Sequence, residues 1–224
     1  MTIQEAVKQI EALRISIDSW SVINDAIEML ACSIASLDST TDRNAEMESL
    51  QARYSGSREK MTRVCAILSE LCMQNADGDH EICDVLGELY MQSGKSSKMA
   101  GQFFTPFHVS RLTAELGMES AKPDEYGVIT LNEPSCGSGG MILACAEWMR
   151  RRGINYAERL FAVGQDVDGR CVRMAYAQCS LAGIPAIIKH GDTLRMETHD
   201  LWITPAALFN WVKFRRYARG SDAL

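Results

Sequence analysis

Residues 128–141, V-I-T-L-N-E-P-S-C-G-S-G-G-M, constrain the fold of this chain more than any other stretch. An apolar run containing Val128, Ile129 and Leu131 ends in an acid, Glu133. Pro134 follows, then Gly137, Gly139 and Gly140, and then a helix-forming run from Met141 to Arg152. The pattern predicts a strand, a tight glycine turn and a helix start. Only residues without a Cβ allow so sharp a reversal and so close an approach of backbone to a ligand. Taken alone, the turn is either an ordinary βα connection or the cradle of a nucleotide-type cofactor. A second acid and an upstream aromatic motif favour the cradle.

The chain around this turn repeats the alternation. A second strand is predicted over 159–163, ending in Gly164-Gln165-Asp166, then a helix over 169–182. A third short strand over 186–189 ends in His190-Gly191-Asp192. Strand, helix, strand, helix, strand with short loops predicts a parallel α/β sheet with right-handed crossovers, half of a doubly wound sheet. Upstream, Gly101-Gln102-Phe103-Phe104-Thr105-Pro106 leads into a helix through Val109, Leu112 and Leu116, with Thr105 as its N-cap and Pro106 at the first helical position. The tail does not continue the alternation. Leu201-Trp202-Ile203 reads as a fourth strand and 205–217 as one helix.

The first 92 residues read differently. Helical spacing runs through Ile3, Val7, Ile10 and Leu13, and again through Val22, Ile23, Ile27, Leu30, Ile34 and Leu37, with Ser19 or Ser21 as an N-cap between. A loop is expected over 38–44. A long helix from Ala45 follows, broken at Ser55-Gly56-Ser57, and then a shorter helix over 81–92. No strand and no catalytic constellation is expected here, so the reading is a helical bundle domain over 1–92 and an α/β domain over 93–224. The stretch 93–100, S-G-K-S-S-K-M-A, reads as an exposed flexible link.

Charge follows the same division. Residues 1–100 hold 9 Lys and Arg against 16 Asp and Glu, whereas the remainder is near neutral, with basic clusters at 150–152 and 213–219. An acidic N-terminal half argues against unaided nucleic-acid binding by that half. No apolar run approaches the roughly 20 residues of a membrane span, and 1–8 lacks the basic and apolar regions of a secretion signal. The eight cysteines form no C-x-x-C pair, which fits reduced thiols and a cytoplasmic setting. The histidines at 80, 108, 190 and 199 lack metal-ligand spacing, so no metal is expected. Cys136 has no histidine beside it in sequence to activate it as a nucleophile.

Four motifs in order, D-V-L-G-E-L-Y at 84–90, G-Q-F-F-T-P at 101–106, E-P-S-C-G-S-G-G at 133–140, and the acids of G-Q-D at 164–166 and G-D at 191–192, carry a resemblance. The chain resembles the adenine-specific DNA methyltransferases that form the modification subunits of type I restriction systems, over roughly 84–194. The resemblance implies a partial Rossmann-like sheet that binds S-adenosylmethionine (AdoMet), a cationic sulfonium joined to adenosine and a methionine tail. It places Gln102, Phe103, Phe104, Thr105, Pro106, Glu133, Pro134, Cys136, Gly137, Ser138, Gly139, Asp166 and Asp192 at the cofactor. Glu133 then faces the ammonium or ribose side, and N–H groups around Gly137 and Gly139 receive the carboxylate. Asp166 accepts the ribose hydroxyls, or else is a helix N-cap. Asp192 meets the adenine amino group, or else caps its own loop. Phe103 and Phe104 pack over the cofactor with Thr105 on its methionine part, or else form a core aromatic pair.

One family feature is missing. Transfer to an exocyclic amine is expected to need an Asn/Asp-Pro-Pro-Tyr/Phe tetrad that holds the amine and stacks on a flipped-out base. The five prolines, 106, 123, 134, 185 and 205, include no adjacent pair. Two readings follow: a methyltransferase-like AdoMet-binding protein that reaches DNA within a complex, or a non-catalytic relative acting as an interaction or anti-restriction protein. Either way residues 1–92 are expected to meet another copy or a partner subunit, because long helices without chemistry need apolar cover. A nicotinamide-dependent dehydrogenase shares the glycine turn and Asp166 but leaves the 101–106 motif without a role.

Overall fold

A computed structural model of the chain describes residues 1–36, 42–78, 80–92 and 104–218. The first part of the loop expected over 38–44 (38–41), the link at 93–100 and the first residues of the aromatic motif, 101–103, lie outside them.

The helical layer begins with α1 (Ile3–Ala12), closed by a capping box in which Thr2 and Glu5 satisfy each other's backbone N–H groups. The next helix, α2 (Ser19–Ala35), starts where expected, but its cap is Asp18, which accepts from Ser21 N–H at 3.0 Å. A carboxylate there satisfies an orphan donor and also complements the helix dipole, which a serine does not. Helices α3 (Asn44–Arg53) and α4 (Arg58–Met73) are separated by a 3₁₀ turn at Ser55–Ser57, the predicted break. The last helix of this layer, α5 (Val85–Gln92), starts four residues later than the sequence suggests. Residues 81–84 are held out of the helix by tertiary bonds. The Asn75 amide clamps both backbone groups of Cys83, and Glu147 accepts from Ile82 N–H at 3.0 Å.

Helix α6 (Phe107–Ser120) corrects the expected cap. Pro106 occupies the N-cap position and no side chain caps the helix. The proline carbonyl still accepts the first helical bonds, from Val109 and Ser110, so Thr105 stays exposed and free for other contacts.

The sheet has the order β1-β2-β3-β4. Strands β1 (Ile129–Glu133), β2 (Leu160–Asp166) and β3 (Ala186–His190) are parallel, joined through α7 (Gly140–Arg151), the single turn α8 (Tyr156–Arg159) and α9 (Gly169–Leu181). The second strand runs three residues beyond its predicted end, because Gly164, Gln165 and Asp166 continue in register with β3. The fourth strand, β4 (Asp200–Ile203), pairs antiparallel with β3. The helix predicted over 205–217 is two helices, α10 (Pro205–Phe209) and α11 (Trp211–Ala218), broken at Asn210.

Apolar burial positions these layers. Helix α2 is buried on most of its circumference and packs on both α4 and α9. One core runs without interruption from α1 and α2 through α7 and α9 to the sheet. On the opposite face of the sheet, Phe214 of α11 stacks on Phe161 of β2 at 5.3 Å, beside Val128 and Ile187. Among the described residues no helix is long and apolar enough to cross a membrane, and no group of three or more His, Cys, Asp or Glu side chains is placed to hold a metal ion.

Candidate cofactor site

The site lies at the C-terminal ends of β1 and β2, where ligands of parallel sheets collect. The chain leaving Glu133 turns back under hydrogen bonds from Cys136 N–H to Gln165 O and from Gly139 N–H to Cys136 O, both 2.8 Å. Two glycines make the turn possible. Gly137 has φ +53° and Gly139 φ +94°, and a Cβ on Gly139 would stand 3.2 Å from the Ala175 backbone of α9. At Gly137 a Cβ would meet the Phe104 ring at 3.1 Å. The helix that follows, α7, has no side-chain cap, so its first N–H groups keep their capacity for an anion.

A cavity of about 380 Å³ opens over this turn. Phe104, Thr105, Glu133, Cys136, Gly137, Ser138 and Asp166 line it, and the structure therefore brings together seven of the thirteen residues singled out from sequence. Glu133 is half-buried, and burial pushes its carboxyl above the usual range against a single opposing backbone bond from Ser135. Asp166 accepts from Gly137 N–H and from Asp168 N–H, each at 2.9 Å, and so fastens the turn to the end of β2. It does not cap α9. That role belongs to Asp168, which accepts from Arg170 N–H at 2.8 Å. Phe104 packs edge-on against Tyr90 at 4.9 Å, and Tyr90 against Trp20 at 4.1 Å, an aromatic chain leading from the helical layer to the cavity. Cys136 is buried, and burial followed by nearby Asp166 pushes its thiol well above the ordinary value. Both effects favour the neutral thiol over the nucleophilic thiolate.

The other expected residues stand elsewhere. Gln102 and Phe103 lie outside the described residues. Pro106 lines a neighbouring cavity of about 410 Å³ on the far side of Phe104 and Thr105. Gly139 is buried beneath the turn. Pro134 is exposed and offers its carbonyl to the Thr193 hydroxyl at 2.6 Å. Asp192 bonds the backbone N–H groups of Leu194 and Arg195 at 2.9 and 3.2 Å, the geometry of a loop cap, and is absent from the cavity wall. Sequence reading did not place Asp84, Ser110, Ser135, Gly140, Met141 or Cys171 at the cavity, yet all six line it. Ser135 lies inside the glycine motif and was legible there. Ser110 and Cys171 arrive from two helices whose packing no local pattern announces.

A parallel half-sheet whose first strand ends in an acid, a glycine turn and an uncapped helix defines an α/β domain of the nucleotide-cofactor class. Residues 82–211 match the family model described as N-6 DNA Methylase, and with more than half of its length matched the chain belongs to that family. The methylase subunit of the type I restriction enzyme MjaIX from Methanocaldococcus jannaschii is 29% identical over 120 residues, 51% of this chain. Those residues are 20% of that protein, so the chain spans about a fifth of the length of the relative it matches. Two solved structures are similar at 15% identity. A putative class I S-adenosylmethionine-dependent methyltransferase from Listeria monocytogenes has a TM-score of 0.41, over 78% of this chain and 54% of that one. The methyltransferase subunit of a type I restriction-modification system from Streptococcus thermophilus has a TM-score of 0.42, over 87% and 59%.

Proposed function

We propose that the chain binds AdoMet in the cavity over the glycine turn and serves as the methyl-donor half of an adenine-specific DNA methyltransferase. The observation that carries this reading is the pairing of opposite polarities across one turn. The half-buried Glu133 and the bare N-terminal end of α7 both line the cavity. A ligand with an ammonium or sulfonium and a carboxylate at one end answers both. The Cβ-free Gly137 lets the Phe104 ring pack directly against the turn, at the wall of the same cavity. The residues present fit the cofactor.

Within that reading Glu133 holds the cationic end by charge, and the N–H groups at the start of α7 receive the carboxylate. Asp166 keeps Gly137 in its left-handed conformation and turns its remaining lone pairs to the ribose hydroxyls. Phe104 and Thr105 close the methionine side and exclude water. When bound, the cofactor supplies an electrophilic methyl group on sulfur. The 224 residues contain no Pro-Pro pair to hold the acceptor amine, so the base-holding groups are supplied by other residues in a complex on DNA. Residues 1–92 form the layer through which such a complex, or a second copy, is met. A groove of about 310 Å³ between α2, α3 and α4, lined by the partly exposed Met47 together with Gln51 and Arg58, supports this.

Calorimetric titration with AdoMet, S-adenosylhomocysteine and NAD tests the reading. Binding of the first two and not of NAD is expected. Binding of NAD alone would replace the methyltransferase reading with a dehydrogenase.

A further inference from the structure

Against the cofactor turn lies a buried polar node of Asp84, Ser138 and Gln178, whose first two members also line the cavity. Asp84 is 4% exposed and accepts three hydrogen bonds, all from uncharged donors. Gly87 N–H reaches Oδ1 at 2.9 Å, Gln178 Nε2 reaches Oδ1 at 2.8 Å, and the Ser138 hydroxyl donates to Oδ2. Gln178, fully buried on α9, donates a second bond to the Ser138 carbonyl at 2.8 Å and accepts from Leu86 N–H at 3.0 Å. One carboxylate and one amide thus join the start of α5, the glycine turn and α9. The backbone leaves no space for anything larger. A Cβ on Gly87 would stand 2.2 Å from Asp84 Oδ2 and 2.5 Å from Ser138 Oγ, and one on Gly140 would stand 3.0 Å from Asp84 Oδ2.

Among the described residues no cation meets this carboxylate, which makes it a costly way to fill a core, and apolar side chains of similar volume would pack there more favourably. Its return has to come from what it positions. Ser138 sits between Gly137, whose N–H is held by Asp166, and the left-handed Gly139. Two acids therefore hold consecutive residues of the turn. We propose that Asp84, Ser138 and Gln178 form a buried latch that holds the turn in its ligand-receiving shape, with Asp84 as a positioning residue, so that seating of α5 and cofactor binding are coupled. Donors held in place before the ligand arrives cost nothing to organise when it does. The inference rests on the AdoMet reading of the cavity.

Two substitutions separate a latch from a direct contact. Asp84→Ala breaks the node. Asp84→Asn keeps the bonds from Gly87 and Gln178 on its oxygen and donates from its nitrogen to the Ser138 hydroxyl, which can accept. The full chain and its variants are titrated with S-adenosylhomocysteine at a temperature where melting curves show each to be folded. Amide hydrogen exchange is followed at residues 137–141 and in α2. Asp84→Ala and Ser138→Ala are expected to weaken binding about tenfold or more, the scale of a lost hydrogen bond to a charged group. Asp84→Asn is expected to stay within about threefold of the unsubstituted chain, because its bond count is unchanged. Exchange should quicken in the turn and not in α2. A merely structural role would lower the melting temperature and leave the affinity of the folded fraction alone, and that result overturns the latch. Affinity lost equally in Asp84→Asn and Asp84→Ala also overturns it, in favour of a charge that touches the ligand. Should Asp84→Ala fail to fold, unchanged affinity in Ser138→Ala decides against the latch. If Asp166→Ala weakens binding while Asp84→Ala and Ser138→Ala do not, the latch falls and the cofactor reading stands. If the unsubstituted chain binds neither AdoMet nor S-adenosylhomocysteine, both fall.

Discussion

At the scale of single residues, Glu133 carries a stability cost in exchange for a ligand contact. Burial raises its carboxyl pKa. An acid with a raised folded-state value is least costly below its unfolded value, about 4.3 for glutamate, and the protein loses stability as pH rises through the folded value. Glu133→Gln removes that loss, so it should melt above the unsubstituted chain at pH 7 and match it below about pH 4. The same change should weaken AdoMet binding by about 1–3 kcal/mol, the scale of a lost charged hydrogen bond. Melting curves across pH and calorimetry read the two effects. A variant that neither melts higher nor binds more weakly would make Glu133 a solvated bystander. Glu133, Asp166 and Asp192 were visible in the sequence because each stands at or just past the end of a strand. Their division of labour was not, because Asp166 and Asp192 occupy similar local contexts. Asp166 has the Gly137 N–H of a neighbouring element within reach, whereas Asp192 has only its own loop.

At the scale of elements, the junction of β1 and α7 depends on Gly139. Its φ of +94° lies where a side chain is strained, and a Cβ would press on the backbone of α9 3.2 Å away. Gly139→Ala should cost about 1–3 kcal/mol in urea unfolding, the scale of a non-glycine residue forced into such a conformation. A loss of less than about 0.5 kcal/mol, the range of an ordinary surface substitution, would mean that the turn relaxes without α9. The helices show which local signals are overruled. Asp18 rather than a serine caps α2, and Pro106 rather than Thr105 precedes α6, both one-residue decisions made by chain geometry. The delayed start of α5 is different. Glu81 to Asp84 have helical company in sequence, but Asn75 and Glu147 capture their backbone first.

At the scale of the molecule, one ion pair ties the helical layer to the sheet. Arg43, just before α3, forms two bonds to Asp200 of β4 at 2.8 and 2.9 Å and lies over the Trp202 ring at 4.0 Å. Burial raises the Asp200 carboxyl, but the hydrogen bonds and charge of Arg43 outweigh it and the value is lowered. An acid with a depressed folded-state value adds stability above its unfolded value, about 3.9 for aspartate, and loses it as pH falls through the lower folded one. Arg43→Ala should therefore cost about 2 kcal/mol at pH 7, as for a lost charged hydrogen bond. It should also flatten the acid limb of the stability curve. Equal acid limbs in both proteins would count against the pair as a tie. Catalysis belongs to this scale too. The isolated chain should transfer no methyl group from tritiated AdoMet to unmodified DNA, because a bound donor does not hold the acceptor amine or the extruded base. Robust transfer, lost in Glu133→Gln, would place an acceptor site within these 224 residues.

By itself the sequence determined the glycine turn, the parallel order of β1, β2 and β3, the helical character of the N-terminal layer and the acids at the strand ends. Those features follow from periodicity, missing Cβ atoms and residues a few positions apart, which are local quantities. Only the tertiary structure decided the antiparallel pairing of β4, the break at Asn210, the use of Asp192 as a loop cap and the node at Asp84. Gln178 lies 94 residues from Asp84, and Asp200 lies 157 from Arg43. Polar partners so distant meet only after the apolar faces of α2, α7 and α9 have packed, since burial is non-directional and local pattern holds no record of which polar groups it will trap together.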